Sequence, residues 1–164
     1  MHWINNFLKK LISKEPNPQK LALSFCLGNY VAFSPFLGLH TVLVLILSPL
    51  LRLNMAVAMA ATYAINNPWT MIPIYSAGYF VGHFLLYDLL HLGESLCNPS
   101  WMKWVETFFE TKLHMASPCL WSFLIGANIL GIVTSIILYP IMNSVFKKLV
   151  AKKVDEIHSE ALQD

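Results

Sequence analysis

Two polar interruptions break a long apolar sequence, and they hold the residues best suited to chemistry. The first is Ser34-Pro35-Phe36-Leu37-Gly38-Leu39-His40-Thr41, and the second is Asn66-Asn67-Pro68-Trp69-Thr70. Arg52-Leu53-Asn54 lies between them, and Arg52 is the only Lys, Arg, Asp or Glu from Leu21 to Tyr87. Ser34-Pro35 and Asn67-Pro68 each pair a good N-cap with a proline suited to the first helical position. Each pair therefore predicts a helix that restarts inside apolar sequence. The first amides of a helix lack intrahelical partners and carry partial positive charge. Two such ends aimed at one another could hold an anionic headgroup, a phosphate or a carboxylate. On this reading Ser34, Pro35, Gly38, His40 and Thr41 line one mouth of a ligand or conduction path. Asn66, Asn67, Pro68 and Thr70 line the other. Arg52 adds a full charge if the fold brings it near, with Asn54 beside it. A structural alternative stays open: Ser34 and Asn67 cap their own helices, and Arg52 snorkels to phosphate headgroups.

Other chemistries have little to stand on. His40 is a candidate proton relay, but such a relay needs a partner and no acid shares its apolar block. His83, Tyr87 and His91 recur on one helix face, with the histidines too far apart for one ion, and a metal needs three or four converging ligands. No metal and no cofactor are expected. GxSxG, HExxH, P-loop and paired-carboxylate patterns are missing, so the chain does not read as an enzyme. Basic residues cluster only beside apolar blocks, which argues against nucleic acid. Cys26, Cys97 and Cys119 have no CxxC spacing and read as small buried hydrophobes.

The elements that would position these residues follow from composition. Hydrophobic residues make up 56% of the chain and charged ones 12%, against about 25% charged in a soluble domain. Uncharged blocks run from Leu21 to Leu51, Leu53 to Tyr87 and Met115 to Phe146. Each exceeds the roughly 20 apolar residues that cross a bilayer. The expected class is all-α: an integral membrane protein with broken or re-entrant helices plus amphipathic interfacial helices. Lys9, Lys10, Lys14 and Lys20 precede the first block, and Lys147, Lys148, Lys152 and Lys153 follow the last. The positive-inside rule then places both termini in the cytoplasm of a multi-pass inner-membrane protein. The opening residues lack the pattern of a cleavable signal.

Five segments are expected. Residues 1–15 form an amphipathic interfacial helix, with Trp3, Phe7 and Leu11 opposite Lys9, Lys10 and Lys14. Residues 18–90 form a membrane core of two Pro-interrupted segments. Its first helix, about fourteen residues and about 21 Å, falls short of a roughly 30 Å core. A re-entrant hairpin over 19–51 and a single kinked span both fit. Ala56, Ala60 and Ala64, and Gly78 with Gly82, form small-residue faces for helix packing. Residues 99–114 form an amphipathic loop helix, 118–146 a C-terminal transmembrane helix, and 147–164 a polar cytoplasmic tail. Paired interrupted segments are the usual pointer to a membrane transport site.

A family likeness rests on particular residues: Pro18 ahead of Ala22, Gly28 seven residues before Pro35, Gly38-Leu39-His40-Thr41, Arg52-Leu53-Asn54, and Asn67-Pro68-Trp69-Thr70 followed by Pro73 and Tyr75. With these the stretch from Pro18 to Gly82 resembles a bacterial membrane family under the placeholder name domain of unknown function 2062. Tyr30 and Ala32 stand where that family usually has phenylalanine and glycine. The resemblance implies a membrane-embedded protein. Some relatives are joined to glycosyltransferases of the polyprenyl-phosphate sugar type, which implies lipid-linked or envelope chemistry. The expected function is transporter-like handling of a lipid-linked or small anionic solute. The rival is a non-catalytic membrane scaffold or assembly factor for an envelope enzyme. Expected partners are the lipid bilayer and either further copies of the chain or another membrane protein.

Overall fold

The structure, a computed structural model, describes residues 17–34, 38–91 and 119–161, and these are helical with no strand among them. The described residues form five α-helices: α1 Pro18–Phe33, α2 His40–Leu50, α3 Met55–Ile65, α4 Pro68–His83 and α5 Leu120–Ala161. A π-helical turn, Phe84–Leu89, extends α4. The expected helices at 1–15 and 99–114, and Pro35, lie outside the described residues.

Three of the described helix starts are set by asparagine. Asn17 Oδ1 accepts from the backbone N–H of Gln19 at 3.0 Å, and Pro18 takes the first helical position of α1. Asn54 Oδ1 accepts from the N–H groups of Ala56 at 3.1 Å and Val57 at 3.2 Å, starting α3. Asn67 does the same for α4 with Pro68 behind it. An asparagine side chain at the N-cap satisfies amides that otherwise lack partners.

Ser34 behaves differently from the expectation. It is a buried bend residue following α1, and α2 begins at His40, so Ser34 does not stand directly before α2. The turn is made by Gly38 at φ +84°, where a side chain would be strained. The residue before α2 is Leu39, which makes no side-chain cap bond. Among the described residues the cap-plus-proline device stands at Asn17-Pro18 and Asn67-Pro68.

The described residues fall into two compact units. The first holds residues 17–32, 38–65 and 133–161. Here α2 and α3 form a helical hairpin, and α1 packs along it. Leu21, Ala22, Val57 and Phe146 make one buried cluster, and Val31, Val44 and Ala58 make another. Gly28 lets the backbones of α1 and α3 meet: a Cβ there would strike the Ala58 carbonyl and sit 2.8 Å from the Ala61 Cβ. Thr62 clinches this contact, its hydroxyl donating to the Gly28 carbonyl at 3.0 Å and its own-helix Ala58 carbonyl at 2.9 Å. The α3 residues that face α1 are thus Ala58, Ala61 and Thr62. Ala56, Ala60 and Ala64, expected as the packing ridge, are exposed. Helical phase explains the difference, since residues two apart sit about 200° around the axis at 3.6 residues per turn.

The second unit holds residues 33–34, 66–91 and 119–132. Its centre is a crossing of α4 with the first part of α5 at Gly78, Gly82, Ser122, Gly126 and Ala127. A Cβ on Gly78 would lie 3.2 Å from the Ala127 Cα, and one on Gly82 would run into the Ser122 carbonyl. Tyr75 meets Phe123 edge-on, with ring centroids 5.3 Å apart.

α5 is 42 residues long, about 63 Å at 1.5 Å per residue. It is the one described helix long and apolar enough to cross a membrane, over Trp121–Asp155. It also runs without a break through the expected boundary at residue 146. The change to Lys147-Lys148 alters the residues' preferred solvent, but no Gly or Pro stops the helix there.

Candidate functional site

The polar residues singled out by sequence divide into corner-makers, caps and a buried helix start. Arg52-Leu53-Asn54 is a corner between α2 and α3. The N–H of Arg52 donates to the Pro49 carbonyl at 3.1 Å, and that of Leu53 to the Ser48 carbonyl at 2.8 Å. This paired bonding is a Schellman ending, and Arg52 occupies its left-handed position at φ +54°. Glycine is the usual occupant there, because a Cβ costs about 1–2 kcal/mol in that region. Asn54 then caps α3 with its side chain, while its own N–H donates to the Ser24 hydroxyl at 2.8 Å. Ser24 passes the bond on to the Lys20 carbonyl at 2.6 Å. The corner is thereby fixed to the first turns of α1.

In the second unit, Asn67 and Thr70 form a reciprocal capping box. Asn67 Oδ1 accepts from the N–H of Trp69 and of Thr70, both at 3.1 Å, and Thr70 Oγ1 accepts from the Asn67 N–H at 3.2 Å. The acceptor that was to line a ligand mouth is engaged in holding its own helix. Trp69 beside it is 90% exposed.

The start of α2 is where polar side chains gather without such a cap. His40 is its first residue and is buried. Thr41 follows, and its hydroxyl shares a 2.7 Å hydrogen bond with that of Tyr63 near the end of α3. The head of α2 and the tail of α3 are therefore tied at the open end of the hairpin. Arg52 is at the closed end. The eleven residues of α2 lie between, about 16 Å of helix, so Arg52 does not converge on His40. Gly38, His40 and Thr41 belong to the first unit, and Ser34, Asn66, Asn67, Pro68 and Thr70 to the second.

Sequence reasoning passed over the polar pins of α1. Asn29 is 2% exposed, and its amide nitrogen donates to Thr134 Oγ1 at 3.0 Å and Ser135 Oγ at 2.9 Å on α5. Ser135 in turn donates to the Cys26 carbonyl at 3.1 Å. The free thiol of Cys26 reaches the Ser135 carbonyl at 3.4 Å. The available signal was an asparagine four residues before a charge-free helix end, in a block otherwise almost wholly apolar. Gly126 was also missed, although Ser122-x-x-x-Gly126 mirrors Gly78-x-x-x-Gly82 in spacing. Cys119 is buried, in line with the sequence reading, and it is disulfide-bonded rather than a free thiol. His83 and Tyr87 stack with centroids 4.2 Å apart, an aromatic pair on one helix face. No three His, Cys, Asp or Glu side chains gather among the described residues.

A family model described as "Uncharacterized protein conserved in bacteria (DUF2062)" matches residues 1–155. No curated protein and no solved structure matches the chain. The match reaches well past the stretch from Pro18 to Gly82 and takes in nearly all of α5. The chain belongs to the bacterial family of domain of unknown function 2062.

Proposed function

We propose that the protein is a multi-pass inner-membrane protein that handles a small anionic or lipid-linked solute at the start of α2, without catalysing a reaction. The observation that carries this reading is the contrast between helix starts. The amides of α1, α3 and α4 are met by Asn17, Asn54 and Asn67, whereas Leu39 gives those of α2 no side-chain oxygen. Buried His40 and the Thr41–Tyr63 hydroxyl pair surround that start. A helix start with polar side chains around it suits a phosphate or carboxylate. Membrane placement draws support from α5 and from the exposed apolar side chains of Ile72, Phe80, Ile136 and Ile137. The disulfide at Cys119 suits an oxidising compartment, and Lys147 to Lys153 suit the cytoplasmic side, so both ends of α5 agree on one orientation.

A complementation assay in a deletion strain, read beside membrane abundance, tests the site. His40→Asn and Thr41→Ala are expected to reach wild-type abundance and lose complementation. Wild-type complementation by both would end the solute reading.

The scaffold reading is favoured by a separate observation. Ala56, Ala60 and Ala64 form an exposed small-residue ridge on α3, a shape that lets another helix approach closely. Ala60→Leu would then cut cross-linking to a second copy or a membrane partner while leaving the monomer folded.

A further inference from the structure

The first unit gathers basic residues from three distant parts of the chain at one of its ends. Leu21, Val57 and Phe146 pack together in a single buried cluster. Lys20 directly precedes Leu21, and Lys147 and Lys148 directly follow Phe146. Arg52 is brought to the same end by the Asn54–Ser24 bond, because Ser24 lies one turn beyond Lys20 and donates to its carbonyl. All four basic side chains are exposed. Among the described residues no acid pairs with Arg52, Lys147 or Lys148. Leu50, 72% exposed, and Leu51, 54% exposed, lead into Arg52. An exposed cation next in sequence to exposed leucines, at the end of an apolar helical unit, suits a headgroup contact.

The backbone at Arg52 adds an independent point. Its φ of +54° belongs to the residue position that glycine fills most easily. Fold alone would favour glycine or asparagine there, so the charged side chain serves something other than the turn.

We propose that this end of the first unit is a binding collar for anionic phospholipid headgroups, with Arg52, Lys147 and Lys148 contacting the phosphates. The inference rests on the membrane placement above but not on the solute site at His40. It assigns the conspicuous charge of the apolar region to lipid rather than to solute.

The test uses the full-length protein in nanodiscs of phosphatidylcholine alone or mixed with phosphatidylglycerol. Native mass spectrometry reads the ratio of retained phosphatidylglycerol to phosphatidylcholine, and a thermal melt reads stability. The wild type is expected to retain phosphatidylglycerol preferentially and to melt higher in its presence. Arg52→Gly should lower the retention ratio about fivefold, the effect of one basic residue near a charged surface. It should still melt no lower than wild type in phosphatidylcholine, since glycine relieves the backbone. The Lys147→Ala/Lys148→Ala double variant lies outside the corner and should lower the ratio further. It decides the matter should the glycine variant fail to fold. Unchanged ratios in both variants would overturn the collar. So would an equal stabilisation by inorganic phosphate in phosphatidylcholine discs, which would mark a free-anion site instead. Recovery of the protein without a membrane would defeat the membrane placement, whereas a membrane-embedded but lipid-indifferent protein defeats the collar alone.

Discussion

The backbone N–H of Asn54 donates to the Ser24 hydroxyl at 2.8 Å, joining the α2–α3 corner to α1 across thirty residues of sequence. The Asn54 side chain meanwhile caps α3. One residue thus serves two separable purposes, and the two can be pulled apart by mutation. Asn54→Ala removes only the cap and should cost about 1 kcal/mol. Ser24→Ala strands a backbone amide and should cost about 1–3 kcal/mol. Unfolding in detergent measures both, and a larger loss for Asn54→Ala would refute the assignment.

Asn67→Ala opens the capping box of α4. A stability loss of about 1 kcal/mol is expected, and Thr70→Val should reproduce part of it. Complementation should then fall only as far as membrane abundance falls. A variant present at normal levels yet inactive would return Asn67 to the list of ligand-binding residues.

Two glycines of the motif regions should respond differently to the same substitution. Gly82→Ala drives a methyl group into the Ser122 carbonyl, so folded protein should be lost from the membrane fraction. Gly38→Ala meets open space and loses only the ease of its positive φ, about 1 kcal/mol. Immunoblotting of membranes distinguishes the two outcomes, and equal abundance would contradict the tight crossing.

Ser48 is fully buried, and its hydroxyl has no hydrogen-bond partner. Burying an unmet hydroxyl costs about 1–3 kcal/mol. Ser48→Ala should therefore leave the protein as stable as wild type or more so, by thermal melt. A clear drop would show that the hydroxyl is met in solution by water or solute.

Much of the architecture was legible because it depends on local chemistry. Charge-free blocks identify α1 to α4 and α5 as far as Phe146 as apolar helix, and Asn67-Pro68 marks the start of α4. Gly78-x-x-x-Gly82 marks a close crossing, though its counterpart Ser122-x-x-x-Gly126 escaped notice because a hydroxyl interrupts the glycine pattern. Ser34-Pro35 does not stand directly before α2, which begins at His40. A serine-proline pair is equally at home leaving one helix and entering another, and only the positive φ at Gly38 fixes where the next helix begins. Arg52 could not be placed either, since an arginine rarely occupies a left-handed helix ending. Which alanines of α3 meet α1 depends on rotation about the axis, and an alanine-rich sequence has too many similar faces to select one. The polar pins of Asn29 and Thr62 depend on partners 105 and 34 residues away, beyond any local pattern.

The crossing of α4 with α5 also bears on how this sequence can drift over generations. A Cβ on Gly82 meets main-chain atoms of Ser122 and Gly126, and one on Gly126 meets main-chain atoms of Gly78 and Gly82. When an obstacle is a side chain, a second substitution can trim it and restore the fit. A peptide group cannot be trimmed by any codon change. Gly82 and Gly126 therefore lack compensating partners, and lineages that keep this crossing should keep both glycines even as the exposed residues around them turn over freely.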